Sequence, residues 1–321
     1  MTERLSALTS LYGPSGRESR VRDYIHDQMR GLGQQVRIDE VGNLIVSRAG
    51  SSGKRGKLMI AAPMDQQGLI VGAAAKKGLL RASELGTLDK TRLNGAAVLF
   101  ADGTRGIVQY REEDGILIDA GPRQDGKPLV GEIAVFDSGF AANGEFLTAG
   151  ALDNRAACEA LIEVLLSGPD CCYDTDFVFT VQNKTGRRGA AFAANALRPS
   201  YALSIGAVAC EEESAKAGIR LGGGPCVKLR DRHHIGHEDA RAVIARGASA
   251  AGIGCQFDAG LTGSFDSSAI HVANQGVIAG SLAIPVRYLN APVEACSASD
   301  LKQTARLIAV LTGILWDEEG K

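Results

Sequence analysis

Near the N-terminus the apolar positions recur at helical spacing. Thr2 can cap a first helix that carries Leu5, Leu8 and Leu11 on one side, and the GPSG stretch at 13–16 breaks it. Val21, Ile25 and Met29 then step by four along a second helix that begins at about Glu18 and stops at Gly31 and Gly33. The period shortens after that. QQVRIDE (34–40) and NLIVSR (43–48) read as strands joined across a Gly-Asn turn, and KLMIAAP (57–63), an unbroken apolar run, reads as a strand buried on both faces.

From about Gln67 to Thr148 the texture changes to short strands punctuated by glycine: LIVGAAA, LLRASEL, AAVLFA, TRGIVQY, GILIDAG and GEIAVFD. The stretch carries no helical period of useful length, so 67–148 is expected to form a small β-barrel or sandwich inserted into a larger domain. Alternation returns after Gly150. Helices are expected at Asp153–Leu166, Arg188–Leu197, about Glu238–Ala251, Ser267–Asn274 and Ser299–Leu315. Between them lie the strands DFVFTVQ, YALSIG, a pair around GIRLGGGPCVKLR, CQFDA and VIAGSLAI, with the glycine triplet Gly222–Gly224 read as a hairpin turn. This order predicts an α/β fold: a mostly parallel sheet, covered by helices on both faces, formed by 1–66 and 149–321 around the insertion at 67–148. Ligands of such sheets bind beyond the carboxyl ends of the strands. Asp65, Lys184 and Gly206 close three of those strands, and Asp153 opens the helix that faces them, so one crevice is expected there.

Composition narrows the function little. The 321 residues are 45% hydrophobic and 22% charged, with a formal net charge of -2, which gives no drive toward nucleic acid or an anionic membrane. The first residues lack the apolar core and cleavage site of a signal peptide, and no stretch reaches the roughly 18 apolar residues of a membrane span. Seven cysteines without CxxC spacing fit a reducing cytoplasm, where most serve as small core residues.

Two other chemistries are weighed and set aside. His234 and His237, or His233 and His237, could share a helix face and hold a metal, but a solvated loop with helix-capping acids is the preferred account of the cluster. Cys210, or Ser264, Ser267 and Ser268 beside Asp266, could be nucleophiles, yet no GxSxG elbow and no histidine at a telling distance accompany them.

The motifs LTSLYGPSGRESRVRDYI, DEVGNLIV, MIAAPMDQQG, GALDNRAACEAL, TVQNKTGRRGA and IPVRYLNAPVE, with Asp300 downstream, occur in one order over nearly the whole chain. In this the chain resembles the TET-type dinuclear metallo-aminopeptidases, a family whose members are labelled glutamyl or deblocking aminopeptidases and often endoglucanases or cellulases. The resemblance implies an α/β peptidase domain with an inserted β-rich domain, two divalent metals (zinc or cobalt), and dimer-based assembly up to a dodecamer. It also implies a metal site, and here the chain departs. Family members have His-x-Asp where this chain has Pro63-Met64-Asp65, a glutamate pair (base, then ligand) at Asn183-Lys184, an aspartate at Gly206 and a histidine at Asn290. Asp153, the bridging carboxylate, is retained. The expectation is therefore a member without metal cofactor and without two-metal peptidase activity, which binds a peptide or small molecule or serves as an assembly partner, as a homo-oligomer or beside an active paralogue. The alternative is an active aminopeptidase or hydrolase with a rearranged metal site or metal-free chemistry. Lys184 is expected to pair with Asp153 and with Asp65, because buried carboxylates need a counter-charge; the competing view leaves it in solvent.

Overall fold

The computed structural model describes residues 1–32, 34–53, 55–75, 78–121, 129–210, 218–263 and 265–316. Two helices, α1 (Thr2–Ser10) and α2 (Ser19–Gln28), lead into the strands β1 (Gln35–Ile38), β2 (Leu44–Arg48) and β3 (Lys57–Pro63). Six strands then close into an antiparallel barrel: β4 (Gly68–Ala74), β5 (Leu79–Leu85), β6 (Ala97–Phe100), β7 (Arg105–Arg111), β8 (Gly115–Asp119) and β9 (Ile133–Phe136), in the order β4-β5-β8-β7-β6-β9. Their alternate residues, Leu69, Val71, Val98, Phe100, Val108 and Ile118 among them, fill the barrel as a separate apolar core.

The rest of the chain supplies β10 (Ala141–Asn143), β11 (Phe146–Ala149), α3 (Leu152–Ser167), β12 (Asp174–Thr180), α4 (Arg188–Leu197), β13 (Tyr201–Ala209), β14 (Cys226–Lys228), α5 (Glu238–Ala251), β15 (Gln256–Asp258), α6 (Ser267–Ile270), β16 (Ile278–Arg287), β17 (Glu294–Ser297) and α7 (Ala298–Thr312). The large sheet runs β1-β2-β12-β3-β13-β16-β17-β11-β10, with β14 and β15 branching from β16. In β3, Leu58, Ile60 and Ala62 join the core under α1, α3, α5 and α7, while Met59 and Ala61 join the core under α4 and α6. A strand buried on both faces needs this unbroken apolar run, because successive side chains point to opposite layers.

The α/β architecture with its inserted barrel is as expected, and four finer expectations require correction. The sheet is mixed: its centre, β12-β3-β13-β16, is parallel, but the flanks are antiparallel. Short connections dictate this for β1–β2, β10–β11 and β16–β17, since a parallel crossover needs a long one. Between β1 and β2 the Asp39 carboxylate accepts the N–H groups of Val41, Gly42 and Asn43, which holds the turn tight. Secondly, β10 and β11, inside the stretch expected to form the insertion, pair within the large sheet, β11 against β17. Thirdly, the glycine triplet does not sit between two paired strands. Among the described residues only β14 follows it, and the N–H groups of Gly222 and Gly224 instead bind the Asp300 carboxylate at the head of α7. The helix expected to reach Asn274 ends at Ile270, with Asn274 itself at φ 54°. No helix among the described residues is long and apolar enough to cross a membrane.

Candidate functional site

The register of the parallel strands brings distant residues to one level. Thr180 at the end of β12 pairs with Pro63 at the end of β3, so Asp65 and the Asn183-Lys184 pair leave the sheet side by side. Gly206 lies in β13 opposite Ala283 of β16, and Asn290 follows β16. Asp153 stands at the head of α3, after Ala151 in the left-handed region at φ 58° and before a cis peptide to Asn154. Asp153, Lys184, Gly206 and Asn290 line one cavity of about 480 Å³, while Pro63, Asp65 and Asn183 are buried.

Charge in this cluster is arranged around Lys184. Its ammonium donates to Asp153 Oδ2 at 2.5 Å, and the two side chains are 8% and 11% exposed. The Asn154 amide closes the triangle: its nitrogen donates to Asp153 Oδ1 and its oxygen accepts from Lys184 Nζ at 3.2 Å. Asp65, fully buried, is held differently from expectation. It accepts the backbone N–H of Lys184 at 2.8 Å and the Ser15 hydroxyl, and the ammonium acts on it only through space. Burial alone would push the Lys184 ammonium toward neutrality; the charges of Asp153 and Asp65, the hydrogen bond to Asp153 and the charge of Glu294 together outweigh it and raise its pKa above the ordinary lysine value. Burial raises the Asp65 carboxyl, against the pull of Lys184 and Ser15.

Four residues that sequence reasoning did not single out complete the site. Glu294 accepts the N–H of Asp153 at 2.8 Å and of Asn290 at 2.9 Å, and burial, with Asp153 beside it, raises its pKa well above the carboxylate range. Gln67 donates to Asn290 Oδ1 at 2.7 Å. Asp266, considered before only as a companion of serines, accepts from Thr180 Oγ1 at 2.5 Å and from Asn183 Nδ2 at 2.8 Å; burial pushes it up to about 6. Phe265 occupies the room beside Gly206, where a β-carbon would meet its Cε1 at 2.8 Å. Gln67 and Glu294 lie inside motifs quoted above and could have been found there; Phe265 carried no signal.

The other candidates separate. His237 caps α5, its Nδ1 accepting from Asp239 N at 3.2 Å, and the His234 ring packs on His271 with centroids 4.4 Å apart. Burial lowers His234 to about 4. Only His233 of the three lines the cavity. Cys210 is buried with its Sγ toward Ile219 O, Ser267 bonds Ser281, and Ser268 bonds Phe265 O. Ser264 lies outside the described residues.

Residues 42–307 match the profile of the M42 glutamyl aminopeptidases. The chain belongs to that family. A protein of Acetivibrio thermocellus, provisionally named an aminopeptidase, is 31% identical over 96% of this chain and 97% of its own length. Among solved structures, an aminopeptidase from the archaeon Desulfurococcus kamchatkensis is 31% identical with a TM-score of 0.90, covering 97% of this M42 chain and 94% of that one. The TET1 peptidase of Pyrococcus horikoshii, described as able to assemble into a tetrahedron or a large octahedral shell, is 29% identical with a TM-score of 0.84 over 98% and 99% of the two chains. The α/β sheet with its inserted six-stranded barrel is thus the M42 fold.

Proposed function

We propose that this M42 chain binds a small ligand in the crevice beyond its parallel strands and does not carry out two-metal peptide hydrolysis. The Lys184 ammonium seated on Asp153 is the observation that carries this reading. By the family resemblance Asp153 is the carboxylate that would bridge two metals, and Lys184 stands where a carboxylate ligand would.

Zinc or cobalt needs three or four N, O or S donors per ion. At the family's positions the Asn183 amide is drawn to Asp266, the Asn290 amide oxygen accepts from Gln67, Gly206 has no side chain, and Pro63 offers no donor. The residues present do not fit a pair of divalent metals, and Asn183 cannot take a proton as a carboxylate base does. A second reading, an active aminopeptidase or hydrolase with a rearranged site or metal-free chemistry, is supported by the names of the relatives. Metal content measured beside release of amino acids from aminoacyl anilides, with zinc, cobalt or manganese added, separates the two. The expected result is substoichiometric metal and no metal-dependent turnover; stoichiometric metal with turnover overturns the proposal, and turnover that persists in EDTA establishes metal-free hydrolysis.

Assembly belongs to the same proposal: a homo-oligomer, or a non-catalytic partner of an active paralogue. The shells described for the Pyrococcus horikoshii relative support it. Sedimentation of the purified chain tests it, and a monomer at micromolar concentration would overturn the homo-oligomer.

A further inference from the structure

We infer that the opposite end of the large sheet carries a second ligand site, one for a hydroxylated anion: a polyol bearing a carboxylate or a phosphate group. This site is independent of the crevice and of what Lys184 does there.

A cavity of about 780 Å³ opens where β3 and β12 begin, at Lys57 and Asp174. The seven residues of β3, about 20 Å of strand, separate it from the crevice at the other end. Cross-strand pairing builds its floor. Gln35 lies opposite Ser47, Ser47 opposite Asp176, and Asp176 opposite Met59, which joins the core under α4 and α6. Residues directly opposite share a face of the sheet, and so do residues two apart on one strand, so Arg37 and Lys57 stand on that face with Asp176. Leu197, the last residue of α4, borders the same cavity.

Asp176 is the group that points to a ligand. It lines the cavity although it is only 4% exposed. Its Oδ1 accepts from the Ser47 hydroxyl at 2.5 Å, whereas its Oδ2 is buried without a hydrogen-bond donor. The Lys57 ammonium stops 3.4 Å from that oxygen, beyond the roughly 2.7–2.9 Å of a well-made ammonium–carboxylate bond. Gln34, also in the wall, has its Oε1 buried without a donor as well. Two buried acceptors left in this way are costly unless something in the cavity brings them hydrogens.

Charge decides what carries those hydrogens. Among the described residues the cavity is lined by Arg37, Arg48 and Lys57 against Asp174 and Asp176, one more cation than carboxylates. Asp174 also accepts the Gly50 N–H at 2.8 Å. A positive lining, with an ammonium already facing Asp176 Oδ2, repels a second ammonium; a hydroxyl brings the missing hydrogen without charge. Guanidiniums take planar or tetrahedral oxyanions through paired N–H bonds, which gives the anionic end of the same molecule its seat. No aromatic ring lines the cavity among the described residues, and its large apolar side chains are Leu32 and Leu197 alone, so recognition there rests on polar groups. The volume is of the size that takes a small molecule.

Calorimetry on the full chain at low salt tests this with five probes: gluconate, glucose 6-phosphate, glucose, glucosamine and inorganic phosphate. At least one of the first two should bind, and the stronger tells a carboxylate from a phosphate ester. Glucose, which lacks the anion, and inorganic phosphate, which lacks the polyol, should each bind at least about tenfold more weakly than that probe, and glucosamine should not bind below about 10 mM. Arg37→Gln and Arg48→Gln should each weaken the bound probe at least about tenfold; Arg37 is exposed and Arg48 half-buried, so these variants test the site without risk to the fold. Asp176→Asn, checked for folding by thermal unfolding, sets an amide donor in place of Oδ2 and should weaken binding by a similar factor. Glucose, glucosamine or inorganic phosphate bound as tightly as the hydroxylated anions, unchanged affinity in either arginine variant, or no hydroxylated anion bound below about 10 mM would overturn the assignment.

Discussion

The Cε1 of Phe265 lies 2.8 Å from the place a β-carbon on Gly206 would take. Contacts under 3.0 Å force something to move, and the Phe265 ring is packed among Val208, Cys210 and Cys226. Gly206→Ala should therefore destabilise the protein by about 1–3 kcal/mol, the ordinary cost of overpacking. Adding Phe265→Leu should return most of that loss in urea denaturation; a Gly206→Ala variant as stable as wild type would mean the ring turns aside freely.

Removing the ammonium while keeping its carboxylate partner isolates a buried charge. Lys184→Met should cost about 3–5 kcal/mol, and Lys184→Met with Asp153→Asn should be markedly more stable than the single variant. Thermal unfolding of the two proteins checks this. Equal stability of wild type and Lys184→Met would show that the pair contributes nothing net.

Asp266 predicts a pH dependence with a definite sign. Its folded pKa, about 6, stands above the ordinary 3.8, so the folded state holds the proton more tightly than the unfolded chain. Its stabilising contribution is full below about pH 4 and is lost as pH rises toward 6, to a total of about 3 kcal/mol. Asp266→Asn removes that titration. The stability of the variant relative to wild type should improve between pH 4 and pH 6, read from urea midpoints across that range, and a constant difference would contradict it.

Restoring the family's donors should fail if the packing is left alone. Pro63→His, Asn183→Glu, Lys184→Glu, Gly206→Asp and Asn290→His supply the missing groups by resemblance, yet the new aspartate at 206 would meet the Phe265 ring. The five changes with Phe265→Ala should retain zinc through gel filtration. Without that sixth change retention should be at least about tenfold weaker, as measured by elemental analysis.

Much of this architecture was legible. The unbroken apolar run at KLMIAAP could only be a strand with a layer on each face, and the glycine-punctuated runs after Gln67 returned as all six barrel strands. The misplacements have local causes. β10 and β11 look like the short barrel strands before them, and only the pairing of β11 with β17, far along the chain, draws them into the large sheet. In the site, the Lys184–Asp153 contact follows from type and position, since a lysine and an aspartate brought together in a dry place neutralise each other. The role of Asp65 was misjudged because a backbone N–H, which every residue carries, took the place assigned to the side chain. Phe265 was illegible because an aromatic residue in a glycine-rich turn says nothing of which distant glycine leaves it room.

Lys184 brings its positive charge to Asp153 on four methylene groups of its own chain. A diffusible ion must be gathered from the surroundings, and its occupancy rises and falls with supply; a charge joined by a short linker has an effective concentration on the order of millimolar or more, whatever the medium holds. On the metal-free reading proposed above, the shape of this crevice would be independent of metal scarcity and set once, when the chain folds.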